Sequence, residues 1–455
     1  MASCWKTPDG EAGRQGPRVY IPAAIVGLLA FVWPLPHSIA LRNVLMAVLL
    51  LGLVPHAQWR RLAGQAARPM RLPALLCVGF TLWVLFVAAV ISPYPNWSYH
   101  EIAGQWFMAM AALIIGLALA LQEERAVTYS ALIVLIGVLV TQIIAVDIQG
   151  FWIIWKTAAL PHMARLGGFT AGPGKASYLT NFLLAALTAE TSLRMEGNRR
   201  WRIPKSGLIG LAFLCLLSLY FETKRLEYFN ALVFPAFLAF IALRNPMVQF
   251  SRRSIFWAVV GAVGLLGLIV ADLIFDPRWG TLWATIPIAL DTAHHMTWLN
   301  AQLYPYPHLP NGQVVSASNY LRVAWIKEGL ITLWHHPLGV GYGRGAFAHA
   351  LTLRFGKLAN AIEPNNSILN MAVGAGIPGA LLWVGEFVSL GRVAALRLRG
   401  ASAFESRFLL LIVLAFGLRM FVDNDMQNYT LEQVCFFVGF LLPLATLGTP
   451  DLSAI

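Results

Sequence analysis

Apolar stretches long enough to cross a bilayer as helices recur along this chain, separated by shorter polar segments that carry most of the charge. The windows fall near residues 19–36, 40–56, 73–92, 105–121, 127–147, 176–192, 207–221, 227–243, 255–275, 366–390, 408–423 and 433–448. At one crossing each they give about twelve transmembrane helices. The first two are so close together that a re-entrant pair is the alternative there. No run of short segments alternates apolar and polar residues with period two, so a membrane β-barrel is not expected. The fold class read from the pattern is all-α and polytopic. Residues 1–18 are polar and lack the basic start, short apolar core and small-residue cleavage site of a signal peptide, so the first apolar run is expected to stay as a helix.

Orientation follows from the loops, because short loops rich in Lys and Arg stay on the cytoplasmic side. Arg60, Arg61, Arg68 and Arg71 follow the second window; Arg194, Arg199, Arg200, Arg202 and Lys205 follow the sixth. Arg244, Arg252 and Arg253 follow the eighth, and Arg392, Arg397, Arg399 and Arg407 the tenth. All four clusters land on one side. The expected organisation is a cytoplasmic tail at 1–18, helices one to nine across 19–275, an outer segment at 276–365, and helices ten to twelve across 366–455. That outer segment, about 90 residues long, is far longer than an ordinary connection. It is aromatic and proline-rich, which favours a folded cap over a disordered linker. Within it, Leu321, Trp325, Leu330 and Leu333 lie near helical spacing and predict an amphipathic helix on or near the membrane.

Composition agrees: 455 residues are 58% hydrophobic and 12% charged, with a mean hydropathy of +0.66. In this setting the net charge of +12 is mostly a topology signal, and no nucleic-acid partner is expected. Cys4, Cys77, Cys215 and Cys435 are scattered without metal-ligand or disulfide spacing, so no metal or cofactor is expected.

The cations that orientation does not explain are those on the outer side: Arg165, Lys175, Lys224, Arg225, Arg322, Lys327, Arg344, Arg354 and Lys357. Positive charge at the end of a membrane helix needs a partner. Glu222, Glu227, Glu328 and Glu363 are available for structural ion pairs. The functional alternative is an anion, phosphate or diphosphate, whose oxygens match the guanidinium fork. His294, His295, His335, His336 and His349 fall in the same segment and can take protons near neutral pH.

The order RVAWIKEGL, HPLGVGYGRGAF and NNSILNMAVGAGIPG, from Arg322 to Gly379, resembles the O-antigen ligase family, part of a superfamily with O-antigen polymerases and pilin glycan transferases. Upstream, RLGGFTAGPGKASYL and ETKRLEYFNAL resemble two further elements of that superfamily. The resemblance implies a GT-C-like membrane fold in the bacterial inner membrane with a large periplasmic loop. It implies an inverting, metal-independent transfer of a glycan from undecaprenyl diphosphate to a sugar hydroxyl of the lipid A-core. By position, Arg225 and Arg322 match family arginines that hold the diphosphate, with Arg165 as a third and Lys224 beside Arg225.

One position departs from the family. Its His-Asn pair is Asn365-Asn366 here, and an amide cannot act as a base. Glu363 is the first candidate to replace the missing histidine, and His349 or His336 the second. Asn365 reads equally well as the N-cap of the tenth helix. Gly374, Gly376 and Gly379 read as helix-packing glycines, and Arg419 with Asp423, four residues on, as a structural ion pair. Three alternatives to a ligase stay open: a polymerase with a second lipid-linked glycan as acceptor, a relative that binds such a glycan without transferring it, and a transporter. The last would place charges in the middle of several spans, where the sequence has few.

Overall fold

The computed structural model describes residues 17–158, 165–170, 172–222, 228, 230–244, 252–275, 277–361, 364–424 and 428–447. Among the described residues ten α-helices precede the outer segment: α1 (Pro17–Val32), α2 (Ile39–Leu53), α3 (Arg71–Phe86), α4 (Pro95–Glu101), α5 (Phe107–Ala120), α6 (Arg125–Thr157), α7 (Pro173–Met195), α8 (Lys205–Glu222), α9 (Val233–Arg244) and α10 (Arg252–Phe275). The segment itself holds α11 (Pro277–Gly280), α12 (Leu282–Leu290), α13 (Ala317–His335) and α14 (Ala346–Phe355). The chain closes with α15 (Ser367–Ala395), α16 (Ala403–Arg419) and α17 (Asn428–Leu447). Among the described residues there is no strand, only two isolated bridges.

Each apolar window of the sequence coincides with a helix. Among the described residues seven of these are long and apolar enough to cross a membrane, and three shorter apolar helices lie beside them. The protein is therefore an all-α, multi-pass membrane protein. The two remaining windows, α7 and α16, carry Thr, Ser, Glu and Arg because other helices enclose them; in α7 nearly every residue from Ala176 to Leu193 is buried. Centrally, α17 has 89% of its apolar window buried. It lies close against α5, where a Cβ on Gly116 would sit 2.3 Å from the Phe436 carbonyl oxygen and one on Gly439 2.2 Å from that of Leu113. Small residues at a membrane helix contact allow this approach.

Two polar ends bound the bundle. At one, Arg194 pairs with Glu190 at 2.6 Å and Arg200 with Glu405 at 2.7 Å, while buried Arg407 binds Glu196 and the Ser192 hydroxyl. At the other, Arg419 donates to the Gly174 carbonyl at 2.8 Å and Ser367 N–H to the Asp423 carbonyl at 3.0 Å. Because α7 and α16 each have one terminus in either group, they run through the bundle; the 23 residues of α7 extend about 35 Å.

Acidic side chains also lie within apolar helices, where the sequence suggested few charges: Asp147 in α6 (3% exposed), Glu386 in α15 (7%) and Glu432 in α17 (0%). Glu432 pairs with Arg42 at 3.3 Å and accepts from Trp33 Nε1 at 2.8 Å. Neither oxygen of Asp147 has a hydrogen-bond partner among the described residues.

Residues 277–361 carry an apolar core of their own, built on Trp298, Leu309, Tyr320, Ala324, Phe347 and Leu351 and closed against Leu369 and Val373 of α15. Of the stripe expected on α13, Leu321 and Trp325 pack half-buried against this core, Leu333 is half-buried and Leu330 is exposed. The helix buries Tyr320, Ala324, Glu328 and Thr332, four residues apart, and leaves Ile326, Leu330 and Trp334 exposed. The burial of Glu328 is offset by Arg354 of α14 at 2.9 Å. A polar residue can face this core because a partner meets it, a fact that apolar periodicity does not register.

Candidate functional site

The site forms where the glycine-rich turn after α13 meets a break in α15. Gly376 has φ +73°, a left-handed conformation that interrupts the helix. The carbonyls this releases are taken up from outside: Val340 N–H donates to Val373 O at 3.1 Å, Gly341 N–H to Gly374 O at 2.9 Å, and Trp83 Nε1 to Ala375 O at 2.6 Å. The turn can approach so closely only without side chains, since a Cβ on Gly339 would lie 2.2 Å from Gly374 O. Gly374 and Gly376 are thus docking positions for a loop, and Gly379, whose Cβ would meet Ala375 and Trp83, is a packing position as expected.

The opposite side of the turn rests on the start of α4. Ser92 Oγ donates to Val340 O at 2.7 Å and Ser98 Oγ to Tyr342 O at 3.3 Å. Arg344 N–H donates to Glu101 Oε2 at 2.9 Å, and Gln105 Nε2 binds that same oxygen. Held this way, the turn lines a small cleft with Gln105, Tyr342, Gly343, Arg344, Ser367 and Asn370. Arg344 is exposed, and among the described residues its guanidinium has no hydrogen-bond or ion-pair partner.

Behind the cleft, the N-terminus of α15 is anchored to the turn that ends α16. Ser367 Oγ donates to Asp423 O at 2.9 Å. The N-cap is Asn366, one residue later than the position considered in the sequence: its Oδ1 accepts from Leu369 N at 2.8 Å and its Nδ2 donates to Phe421 O at 2.9 Å. Asn365 has φ +49°, a left-handed conformation in which Asn is favoured. This gives the amide a backbone reason to be there.

Arg322 reaches the same turn, donating through Nη1 to Val422 O. Burial pushes its pKa down, with Asp423 acting in the opposite sense. Arg419, 1% exposed, stands 3.3 Å from Asp423, as the ion-pair reading expects, and 3.5 Å over the Tyr178 ring. Lys175 lies 5.0 Å over Tyr429. The turn at 419–423 therefore gathers Arg322, Arg419, Ser367 and Asn366.

The remaining sequence candidates are placed differently. His349 packs between Tyr94 (4.7 Å) and Trp97 (4.1 Å) on the α4 side of the glycine turn. Burial lowers its pKa below the usual 6.5, against a weaker upward pull from Glu101, so it is neutral at pH 7. His336 caps the C-terminus of α13, about 21 Å along that helix from Arg322. Arg165 lies in the loop where Leu166 N–H meets Phe221 O at 3.0 Å and has φ +49°. Lys224, Arg225 and Glu363 lie outside the described residues. Two outer cations are structural: Lys327 donates to Leu290 O at 2.6 Å, and Arg354 pairs with Glu328.

Sequence reasoning undervalued Arg344, Ser367, Asn370 and Gln105. Only Arg344 carried a signal, as a cation between two glycines. Comparison of the chain with protein-family models and with curated proteins finds no match.

Proposed function

We propose that this protein is a membrane glycosyltransferase of the O-antigen ligase type, moving a glycan from undecaprenyl diphosphate to a hydroxyl of the lipid A-core at the periplasmic face of a bacterial inner membrane. The observation that carries the reading is the exposed Arg344, its guanidinium without a partner among the described residues, on a cleft whose back wall, Ser367, is tied to the same turn that receives Arg322 and Arg419. Cations at the end of an apolar bundle suit a diphosphate carried on a lipid. On this reading the chain crosses the membrane twelve times and residues 276–365 form the periplasmic cap over the donor.

In an inverting transfer the acceptor oxygen bonds to the anomeric carbon as the bond to the diphosphate oxygen breaks. Arg344 and Arg322 would stabilise the charge gathering on the leaving diphosphate, with Arg225 and Arg165 carried over from the family resemblance. The acceptor proton must go to a base, and Asn365 cannot take it. Glu363, two residues earlier, is the first group to test. His349 is neutral at pH 7 and so able to accept a proton, although it lies across the glycine turn.

The amide at Asn365 favours a second reading, a relative that holds the lipid-linked glycan without transferring it. A polymerase would share the donor site and use a second lipid-linked glycan as acceptor. A strain lacking the protein separates the three. Accumulated long glycan on undecaprenyl diphosphate with bare lipid A-core, restored by wild type and not by Arg344→Ala, supports the ligase. Accumulated single repeats indicate a polymerase, and an unchanged profile indicates the non-transferring relative. If Glu363→Gln and Asn365→Ala both leave transfer intact, the proton-acceptor assignment fails.

A further inference from the structure

A second cleft lies at the other end of the bundle, in the arginine-rich group, and belongs to no step of the transfer. It is lined by Glu196, Ile241, Arg244, Leu396, Arg399 and Arg407, among others. Its floor is Arg407, 0% exposed and committed to Glu196, Ser192 Oγ and Leu398 O, so that its charge is neutralised within the protein. The two arginines at the rim differ. Arg244 is exposed, with its guanidinium 5.8 Å over the Phe240 ring, and exposed Arg399 reaches, among the described residues, the Arg244 carbonyl at 3.4 Å. Beside them the surface is apolar and open: Phe240 is 45%, Leu243 87% and Leu396 71% exposed.

We propose that this cleft binds the headgroup of an anionic phospholipid from the leaflet that faces it, with the phosphate between Arg244 and Arg399 and the acyl chains along Leu396 and Leu243. The guanidinium fork matches phosphate oxygens, the walls are amphipathic, and the cleft sits at the end of membrane-crossing helices, where a headgroup would lie. The two arginines also complement the negative C-terminal ends of α9 and α15. Helix capping alone would make them stabilise the protein equally with and without lipid. The proposal rests on the membrane-spanning fold and is independent of the glycosyl-transfer reading.

The test uses the purified full chain in detergent, titrated separately with phosphatidylglycerol, phosphatidylethanolamine and inorganic phosphate. Bound lipid is read by native mass spectrometry and stability by thermal unfolding. Phosphatidylglycerol is expected to be retained and to raise the midpoint, with the other two doing neither. Arg244→Ala with Arg399→Ala should weaken its binding about 25-fold, at roughly fivefold per arginine. The exposed pair Arg60→Ala with Arg61→Ala, outside the cleft, should bind as wild type. Should the first double variant not fold, Leu396→Glu at the exposed mouth is expected to weaken binding by charge repulsion. Undiminished retention by the cleft variants would overturn the proposal, as would an equal loss in the Arg60/Arg61 control or equal stabilisation by inorganic phosphate.

Discussion

Replacing Gly376 by Ala tests how the site is built. An L-residue held left-handed costs about 1–2 kcal/mol. The added methyl would stand 2.4 Å from the Leu338 carbonyl carbon and 2.6 Å from its oxygen, backbone atoms that cannot rotate aside. Overpacking of this kind costs about 1–3 kcal/mol. The two together give roughly 2–5 kcal/mol, localised at the junction of turn and helix. Gly385, on the same helix, is the control: its Cβ would meet Leu76 methyl groups at an ordinary 3.7 Å, and Ala there gains about 1 kcal/mol of helix propensity. The assay is amide hydrogen exchange at Val340 and Gly341, whose N–H groups donate to the broken helix. If the loss falls on local opening, Gly376→Ala should speed exchange at both by about thirtyfold or more, whereas Gly385→Ala should leave them unchanged. Equal protection in the two variants would mean that the break does not hold the turn.

Three further outcomes follow from the same geometry. Asn366→Ala removes the N-cap of α15 and its bond to Phe421 O, and should cost about 1 kcal/mol in thermal unfolding, with Asn366→Asp retaining most of the cap. Arg354→Ala leaves Glu328 buried without its partner; since Arg354 is itself 44% exposed, the loss should be about 1–2 kcal/mol, and Glu328→Leu in the same chain should recover it. His349 has a folded pKa below 6.5, so the unfolded chain binds its proton more readily. The stability it contributes is present above pH 6.5 and is lost as pH falls through the folded value. The midpoint measured between pH 7.5 and 5 should drop less in His349→Phe than in wild type, and parallel profiles would remove His349 from the account.

The sequence makes the helices legible because twenty consecutive apolar residues have few other ways to fold. It conceals their polar exceptions: a single acid such as Asp147 or Glu386 barely changes the mean of its window. The shifted end of the eleventh window shows the same limit. Residues 420–423 are apolar enough to extend α16 in a hydropathy reading, yet they form the turn that receives Arg322, Ser367 and Asn366. In the outer segment, helical spacing located α13 but not every residue of its packed face, because Tyr320, Ala324, Glu328 and Thr332 are buried by partners distant in sequence. The cleft is legible only in part. Arg322, Arg344 and the glycines announce themselves by residue type, whereas Ser367, Asn370 and Gln105 acquire their place from distant partners, the Asp423 carbonyl, the Gly343 carbonyl and the Glu101 carboxylate.

The central claim is tested most directly by reconstituting the purified protein in liposomes with a glycan on undecaprenyl diphosphate and lipid A-core as acceptor. Wild type is predicted to yield glycosylated lipid A-core and free undecaprenyl diphosphate. Arg344→Ala, a change at an exposed side chain without a partner among the described residues, should transfer about tenfold to a hundredfold more slowly while unfolding at the wild-type temperature. No transfer by folded wild-type protein, or wild-type rates in Arg344→Ala, would contradict the assignment.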